Sequence, residues 1–174
     1  MTTIRKFRCR DTFKYSNVNL DYYTETFHFP FYFEYMSKWP SLCYLAKDSN
    51  ERIEGYHFGK IEGEKEKYHG HLTAITIARE FRRSGLSNRM MDWLRDISEE
   101  KKTYYIDLFV RKSNDIGLKM YYRLGYSIYR EILEYYSNNK ESAYDMRMAL
   151  SRDVEKKSII PLPHPIHADD ADDL

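Results

Sequence analysis

The stretch HGHLTAITIAREFRRSGLSNRMMDWL, residues 69–94, decides the fold, because it reads as a strand, a basic turn with one glycine, and then a helix. His71 to Ile77 alternate with β-branched residues as a strand does, and Met90, Met91 and Leu94 give the helix an apolar stripe. Between them lie Arg82, Arg83, Ser84, Gly85, Leu86 and Ser87. The N–H groups of a helix's first turn lack intrahelical partners, and the helix dipole favours negative charge beside them. The arginines add fixed positive charge, while Gly85 allows close backbone approach. The pattern predicts a pyrophosphate site. There is no G-x-x-x-x-G-K-[ST], and a single glycine cannot satisfy G-x-G-x-x-G, so neither an NTP-binding P-loop nor a dinucleotide fingerprint fits.

A second block, RKSNDIGLKMYYRLGY at 111–126, follows the apolar run YYIDLFV at 104–110 and reads as strand, helix and turn. Ser113 or Asn114 is placed to cap the helix, Ile116, Met120 and Leu124 fall at four-residue spacing as its core stripe, and Gly125 suits the C-terminal cap. Tyr121 stands in a chain with 17 tyrosines, and by itself it reads as one more core aromatic.

The remaining elements alternate without an internal repeat. A first strand is expected at Thr3 to Cys9, and Asp11 can cap a short helix through Leu20. In TETFHFPFYFEYMSKWP, Pro30 suits a first helical turn, and Phe31, Tyr35, Met36 and Trp39 form the buried side before Pro40 stops it. This helix carries more aromatics than a small core needs, so residues such as Tyr32 and Tyr35 are expected to face a partner. Strands follow at Leu42 to Ala46 and Ile53 to Ile61, with a charged hairpin loop at 62–67 and a closing pair at Ser127 to Tyr136 and Ala143 to Leu150. The whole is a mixed α/β sandwich. From about residue 151 the chain changes character. SRDVEKKSIIPLPHPIHADDADDL holds three of the five prolines and ends in acids, so it reads as an extended appendage whose apolar Ile159 to Leu162 folds back or docks, with ADDADDL disordered.

At 174 residues the chain is one catalytic-sized domain, 1–150, plus the tail, 151–174. Its two cysteines, Cys9 and Cys43, make no disulfide framework and point to reduced thiols in a soluble, cytoplasmic protein. No run approaches the roughly 20 apolar residues of a membrane span. Formal net charge is +1, which gives no broad field for direct nucleic-acid binding, although Arg5, Lys6, Arg8 and Arg10 make a local basic edge. His69 and His71, two apart on a strand, share a face, but no third ligand is spaced nearby and no metal is expected.

Arg82 to Ser87 resemble the R/Q-x-x-G-x-G/A signature of the GNAT superfamily of acetyl-CoA-dependent acyltransferases, with Ser87 where the family prefers Gly or Ala. The second block is similar to the GNAT pattern N-x-x-A-x-x-hydrophobic-Y-x-x-hydrophobic-G-F/Y. Asn114, Tyr121, Gly125 and Tyr126 match it, and Gly117 replaces the alanine. The aromatic segment 24–40, EYYSNNKESAYDM at 134–146, the N-terminal MTTIRKFRCRD and the tail SRDVEKKSIIPLPHP together resemble the catalytic subunits of NatB-type protein N-terminal acetyltransferases over nearly the whole chain. The resemblance implies a GNAT fold, a mixed central sheet flanked by helices. It implies acetyl transfer from acetyl-CoA to N-termini beginning Met-Asp, Met-Glu, Met-Asn or Met-Gln, without a metal. The implied partners are nascent peptide N-termini and a large helical-repeat auxiliary subunit in a heterodimer, with ribosome association through that partner. It places Asn114 against the cofactor and Tyr121 near its sulfur, His71 and Thr73 beside the substrate's second residue, and Glu25, Phe27, Ala74, Tyr135 and Tyr136 around the peptide entrance, Phe27 in the methionine pocket.

The chemistry asks for few special groups. An α-amino group with a pKa near 7.7 to 8.0 is already about a tenth to a quarter neutral near neutral pH, so positioning supplies much of the rate. His71 or Tyr136 is the candidate base, and the N–H of Ile75 or Ile77 the candidate oxyanion donor. Two other classes fit the same motifs: an acetyltransferase acting on lysine or a small amine, and a noncatalytic CoA-binding subunit.

Overall fold

A computed structural model describes residues 1–173, which fall into two compact units, one of 1–61 with 70–100 and one of 62–69 with 101–174.

In the first unit the strands β1 (Thr3–Lys6), β2 (Cys43–Lys47), β3 (Ile53–Glu62) and β4 (His69–Ile77) neighbour one another in that order. β1, β2 and β3 are antiparallel, with Ile4 opposite Ala46 and Leu45 opposite Tyr56. The helices are α1 (Phe29–Lys38) and α2 (Leu86–Glu100). α2 buries Leu86, Met90, Met91, Leu94 and Ile97, the stripe read from the sequence.

Three expectations need correction here. β1 stops at Lys6 rather than Cys9: after the Phe7 N–H donates to the Cys43 carbonyl at 2.8 Å, the chain enters a 3-10 turn at Cys9. The helix expected from Asp11 to Leu20 is only a 3-10 turn, Cys9–Phe13. The Asp11 carboxylate is taken by Arg5, at 2.7 and 2.8 Å, and by the Arg8 N–H, so it braces the turn instead of starting a helix. Tyr32 and Tyr35 do not face a partner. Both are buried, and the Tyr32 ring lies 5.3 Å from Phe58 and 5.4 Å from Tyr15. On and beside α1, Phe13, Phe29 and Phe33 are the rings left exposed among the described residues. Periodicity cannot assign a face when every turn of a helix carries an aromatic.

In the second unit the order is β5 (Tyr105–Arg111), β7 (Glu141–Ala149), β6 (Ser127–Tyr136), β8 (Ile166–His167). β5/β7 and β6/β7 are antiparallel and β6/β8 is parallel, so the sheet is mixed. The helix α3 spans Asp115–Arg123. Its expected core stripe is wrong at one end: Ile116 is 79% exposed, and the buried residue of α3 is Tyr121. The tail packs onto this unit. Buried Asp153 accepts the N–H groups of Lys157 and Ser158, and the Leu162 N–H donates to the Tyr129 carbonyl at 2.7 Å. Prolines at 161, 163 and 165 leave the alternate N–H groups intact, which is how so proline-rich a segment still edges a sheet. Of the acidic run, Ala168–Asp173 form 3-10 turns and Leu174 lies outside the described residues. Among the described residues, no helix is long and apolar enough to cross a membrane.

Candidate active site

β4 is buried at both ends and open in the middle. His71 and Ile77 are buried, whereas Thr73, Ala74 and Ile75 are partly exposed. Such a gap in an otherwise covered strand offers side chains and backbone to a ligand. The strand runs through a 3-10 turn, Arg79–Phe81, into the basic turn. There Arg83 and Gly85 adopt left-handed conformations, φ 61° and 79°, and a Cβ placed on Gly85 would meet no atom within 4 Å. Leu86 starts α2, whose first ladder bond is Arg89 N–H to the Gly85 carbonyl. Alternating backbone handedness ahead of a helix N-terminus turns successive N–H groups toward one side, the arrangement that receives phosphate oxygens. The side chains of this turn differ in their engagements. Ser84 donates to the Phe81 carbonyl, and Arg82 donates from Nε to the Ile77 carbonyl at 3.0 Å and from Nη2 to Asp21 at 2.6 Å. Arg83 is exposed.

The peptide-side candidates of this unit flank α1. Phe27 is partly buried, stacks on Phe31 at 4.1 Å, and donates its N–H to the Tyr32 hydroxyl. Glu25 is exposed. The Thr73 hydroxyl shares a 2.9 Å hydrogen bond with the Tyr35 hydroxyl, which ties β4 to α1. Ile75 is partly exposed, whereas Ile77 is buried with its carbonyl taken by Arg82.

In the second unit, Asn114 caps α3 by accepting the Gly117 N–H, which decides between the two cap candidates. A Cβ at Gly117 would fall 2.8 Å from the Asn114 amide nitrogen, so the glycine that departs from the GNAT pattern gives this amide its room. Tyr121 is buried edge-on to Tyr126, and burial pushes its phenol above its ordinary pKa. β6 is irregular between Ile132 and Tyr136, with Glu134 at φ 54°, and such a bulge re-aims the residues after it. These are Tyr135, which meets Phe109, and Tyr136, whose ring lies 3.7 Å below the Arg111 guanidinium.

Glu141 anchors the surroundings of that pair by receiving Arg111, Asn139 and both the N–H and hydroxyl of Ser113. Partial burial alone would raise its carboxyl, but these donors outweigh it and bring the pKa to about 2. His69 has acidic neighbours that linear spacing did not reveal: Glu62 at 3.7 Å and Asp107 at 3.6 Å from Nε2.

Asp21, Thr24, Tyr35, Arg111 and Glu141 are the supporting residues that sequence reasoning missed. Each acts across a gap of 25 or more residues, and no local pattern marks such a contact.

The acetyltransferase (GNAT) family model matches residues 8–126. The chain belongs to this family. It is 56% identical over 173 residues to N-alpha-acetyltransferase 20 of Dictyostelium discoideum, covering 99% of each chain. A crystal structure of Chaetomium thermophilum Naa20 in complex with a bisubstrate analogue superposes with a TM-score of 0.91 at 35% identity, over 96% of this chain and 97% of that one. A NatB acetyltransferase complex bound to CoA and MES contains a chain with a TM-score of 0.78 at 37% identity, over 85% of this chain and 99% of that one. The GNAT fold expected from the two motif blocks is the fold these relatives share.

Proposed function

We propose that this chain transfers acetyl from acetyl-CoA to the α-amino group of protein N-termini beginning Met-Asp, Met-Glu, Met-Asn or Met-Gln. The observation that carries the reading is the opened middle of β4 running into a turn with left-handed Arg83 and Gly85 ahead of α2. The CoA and the bisubstrate analogue bound by the similar proteins support it. Bound acetyl-CoA supplies an activated thioester. The backbone of Arg83 to Ser87 holds its pyrophosphate, with the exposed Arg83 side chain beside it, and Asn114 contacts the cofactor. His71, or Tyr136, takes the ammonium proton directly or through water, and the N–H of Ile75 stabilises the oxyanion in preference to that of Ile77. Tyr121 hydrogen-bonds the departing sulfur; because burial raises its pKa, it remains a neutral donor at physiological pH.

Phe27 receives the substrate methionine, with Glu25, Ala74, Tyr135 and Tyr136 about the peptide and His71 and Thr73 beside its second residue. The protein works in the cytoplasm with a large helical-repeat auxiliary subunit, through which it meets the ribosome. Residues 1–150 are the catalytic domain, and 151–174 a tail that also touches the partner.

The test is acetylation of Met-Asp, Met-Leu and Ser-Ala peptides by the chain assembled with its auxiliary subunit. A strong preference for Met-Asp is expected. Activity on internal lysines alone, or CoA binding without turnover, would replace this reading with the corresponding alternative.

A further inference from the structure

The side chain of Arg82 is 40% exposed, yet two partners hold it. Of the donors in its planar guanidinium, Nε holds the carbonyl of Ile77 at the end of β4, and Nη2 holds Asp21 at 2.6 Å. Asp21 belongs to the segment that leads into α1, 61 residues away in sequence. Its other carboxylate oxygen accepts the Tyr23 N–H at 3.0 Å, and its carbonyl accepts the Thr24 N–H at 3.1 Å, so one residue both shapes this bend and ties it to the basic turn. Burial alone would raise the Asp21 carboxyl, but the Arg82 hydrogen bond, the Tyr23 amide and the charges of Arg82 and Arg79 together hold it below its ordinary value, so the pair is ionised at neutral pH. A second tie lies three residues on, where the Thr24 and Thr76 hydroxyls meet at 2.9 Å. Beyond these ties come Glu25 and Phe27, and the bend is further held by Asn19, which donates to Thr26 and accepts from Tyr56.

We propose that Asp21 is a positioning residue that couples occupancy of the basic turn to the order of the peptide-contacting segment 21–27. The proposal rests on the function proposed above. An anion bound by the backbone of residues 83–87 fixes the turn that Arg82 opens. Fixing that turn fixes the guanidinium, and the guanidinium holds the bend before Glu25 and Phe27. Coupling of this kind is reciprocal: whatever tightening CoA gives to the peptide, the peptide gives to CoA. Asp21 touches neither reacting group, and its effect therefore falls on linkage rather than on chemistry.

The experiment uses the chain assembled with its auxiliary subunit and compares wild type with Asp21→Asn. The asparagine keeps an oxygen for the Tyr23 N–H, so the bend persists while the charge facing Arg82 is lost. Titration of a Met-Asp peptide with and without saturating CoA should show about tenfold tightening by CoA in wild type, a size ordinary for coupled sites. In Asp21→Asn the tightening should fall below about twofold, while the affinity for CoA alone stays within about twofold of wild type. Thr24→Val should show a smaller loss in the same direction. Hydrogen exchange gives a readout that needs no peptide: CoA should protect amides 21–27 in wild type and not in Asp21→Asn. Full tightening and protection in Asp21→Asn would overturn the proposal, as would a loss of CoA affinity as large as the loss of peptide affinity. If wild type fails to bind Met-Asp peptides but CoA still protects 21–27 through Asp21, the proposed substrate falls and the coupling stands.

Discussion

The two units bury their interiors by different means. In the first, rings pack on rings: Phe7, Tyr15, Tyr32, Tyr35, Tyr56 and Phe58 form a continuous cluster with centroids 4.9 to 6.5 Å apart. In the second, charges pack between rings. The guanidinium of Arg147 lies 3.5 Å from the Tyr129 ring and 4.6 Å from the Tyr105 ring, His69 stacks on Tyr105 at 4.8 Å, and fully buried Asp145 holds Arg147 at 2.9 Å. Alternation along β7 puts Asp145 and Arg147 on one face, opposite Phe109 and Asp107 of β5. Aromatic pairs each add about 0.5 to 1.5 kcal/mol and fail gradually when trimmed. A buried ion pair contributes little net stability, yet removing one partner strands the other. The second unit is therefore the more brittle.

The largest expected effect follows from that difference. Asp145→Asn removes the fully buried carboxylate that Arg147 and Arg130 face and should cost about 3 to 5 kcal/mol in denaturant unfolding. Asp145→Leu combined with Arg147→Met should recover most of the loss. A single mutant as stable as wild type would show that the charged interior is no more fragile than the aromatic one.

Next comes Tyr121→Phe, which separates chemistry from packing. Turnover should fall about 100-fold while the dissociation constant for acetyl-CoA stays near normal. Full kcat would return Tyr121 to the role of a core ring.

A pH experiment compares the units through one titrating group in each. Glu141 has its pKa lowered to about 2 in the folded second unit, so its contribution is present above the unfolded value near 4.3 and is lost as pH falls toward 2. Wild type should exceed Glu141→Gln in melting temperature at pH 7, and the gap should narrow progressively as pH falls from about 4 toward 2. Divergence there would mean the lowered pKa is not what stabilises this loop.

His57 of the first unit is the mildest case. It is wholly buried against Tyr44, neither ring nitrogen has a hydrogen-bond partner among the described residues, and burial lowers its pKa to about 4. The unfolded chain takes up a proton near pH 6.5 that the folded chain refuses until about 4, so stability falls across that window as pH is lowered. His57→Leu should remove this acid sensitivity and stabilise by about 1 kcal/mol at neutral pH. Unchanged acid sensitivity would locate the titrating group elsewhere.

The sequence by itself determined the strand, basic turn and helix of 71–94, a cap at Ser113 or Asn114, the Gly125 stop and the stripe of α2, because each is set by neighbours within about one helical turn or one strand. It also carried the family, since the two motif blocks are local. Tertiary structure decided the rest. Only packing could turn Tyr32 and Tyr35 inward and leave Phe29 and Phe33 outside, for a helix aromatic on all sides has no preferred face until a sheet covers one. Only folding could spend Asp11 on Arg5, bring Arg82 to Asp21, and set Arg111 over Tyr136. A charged side chain takes whichever opposite charge or ring the fold brings within a few ångströms, and that distance is not written in the spacing of residues along the chain.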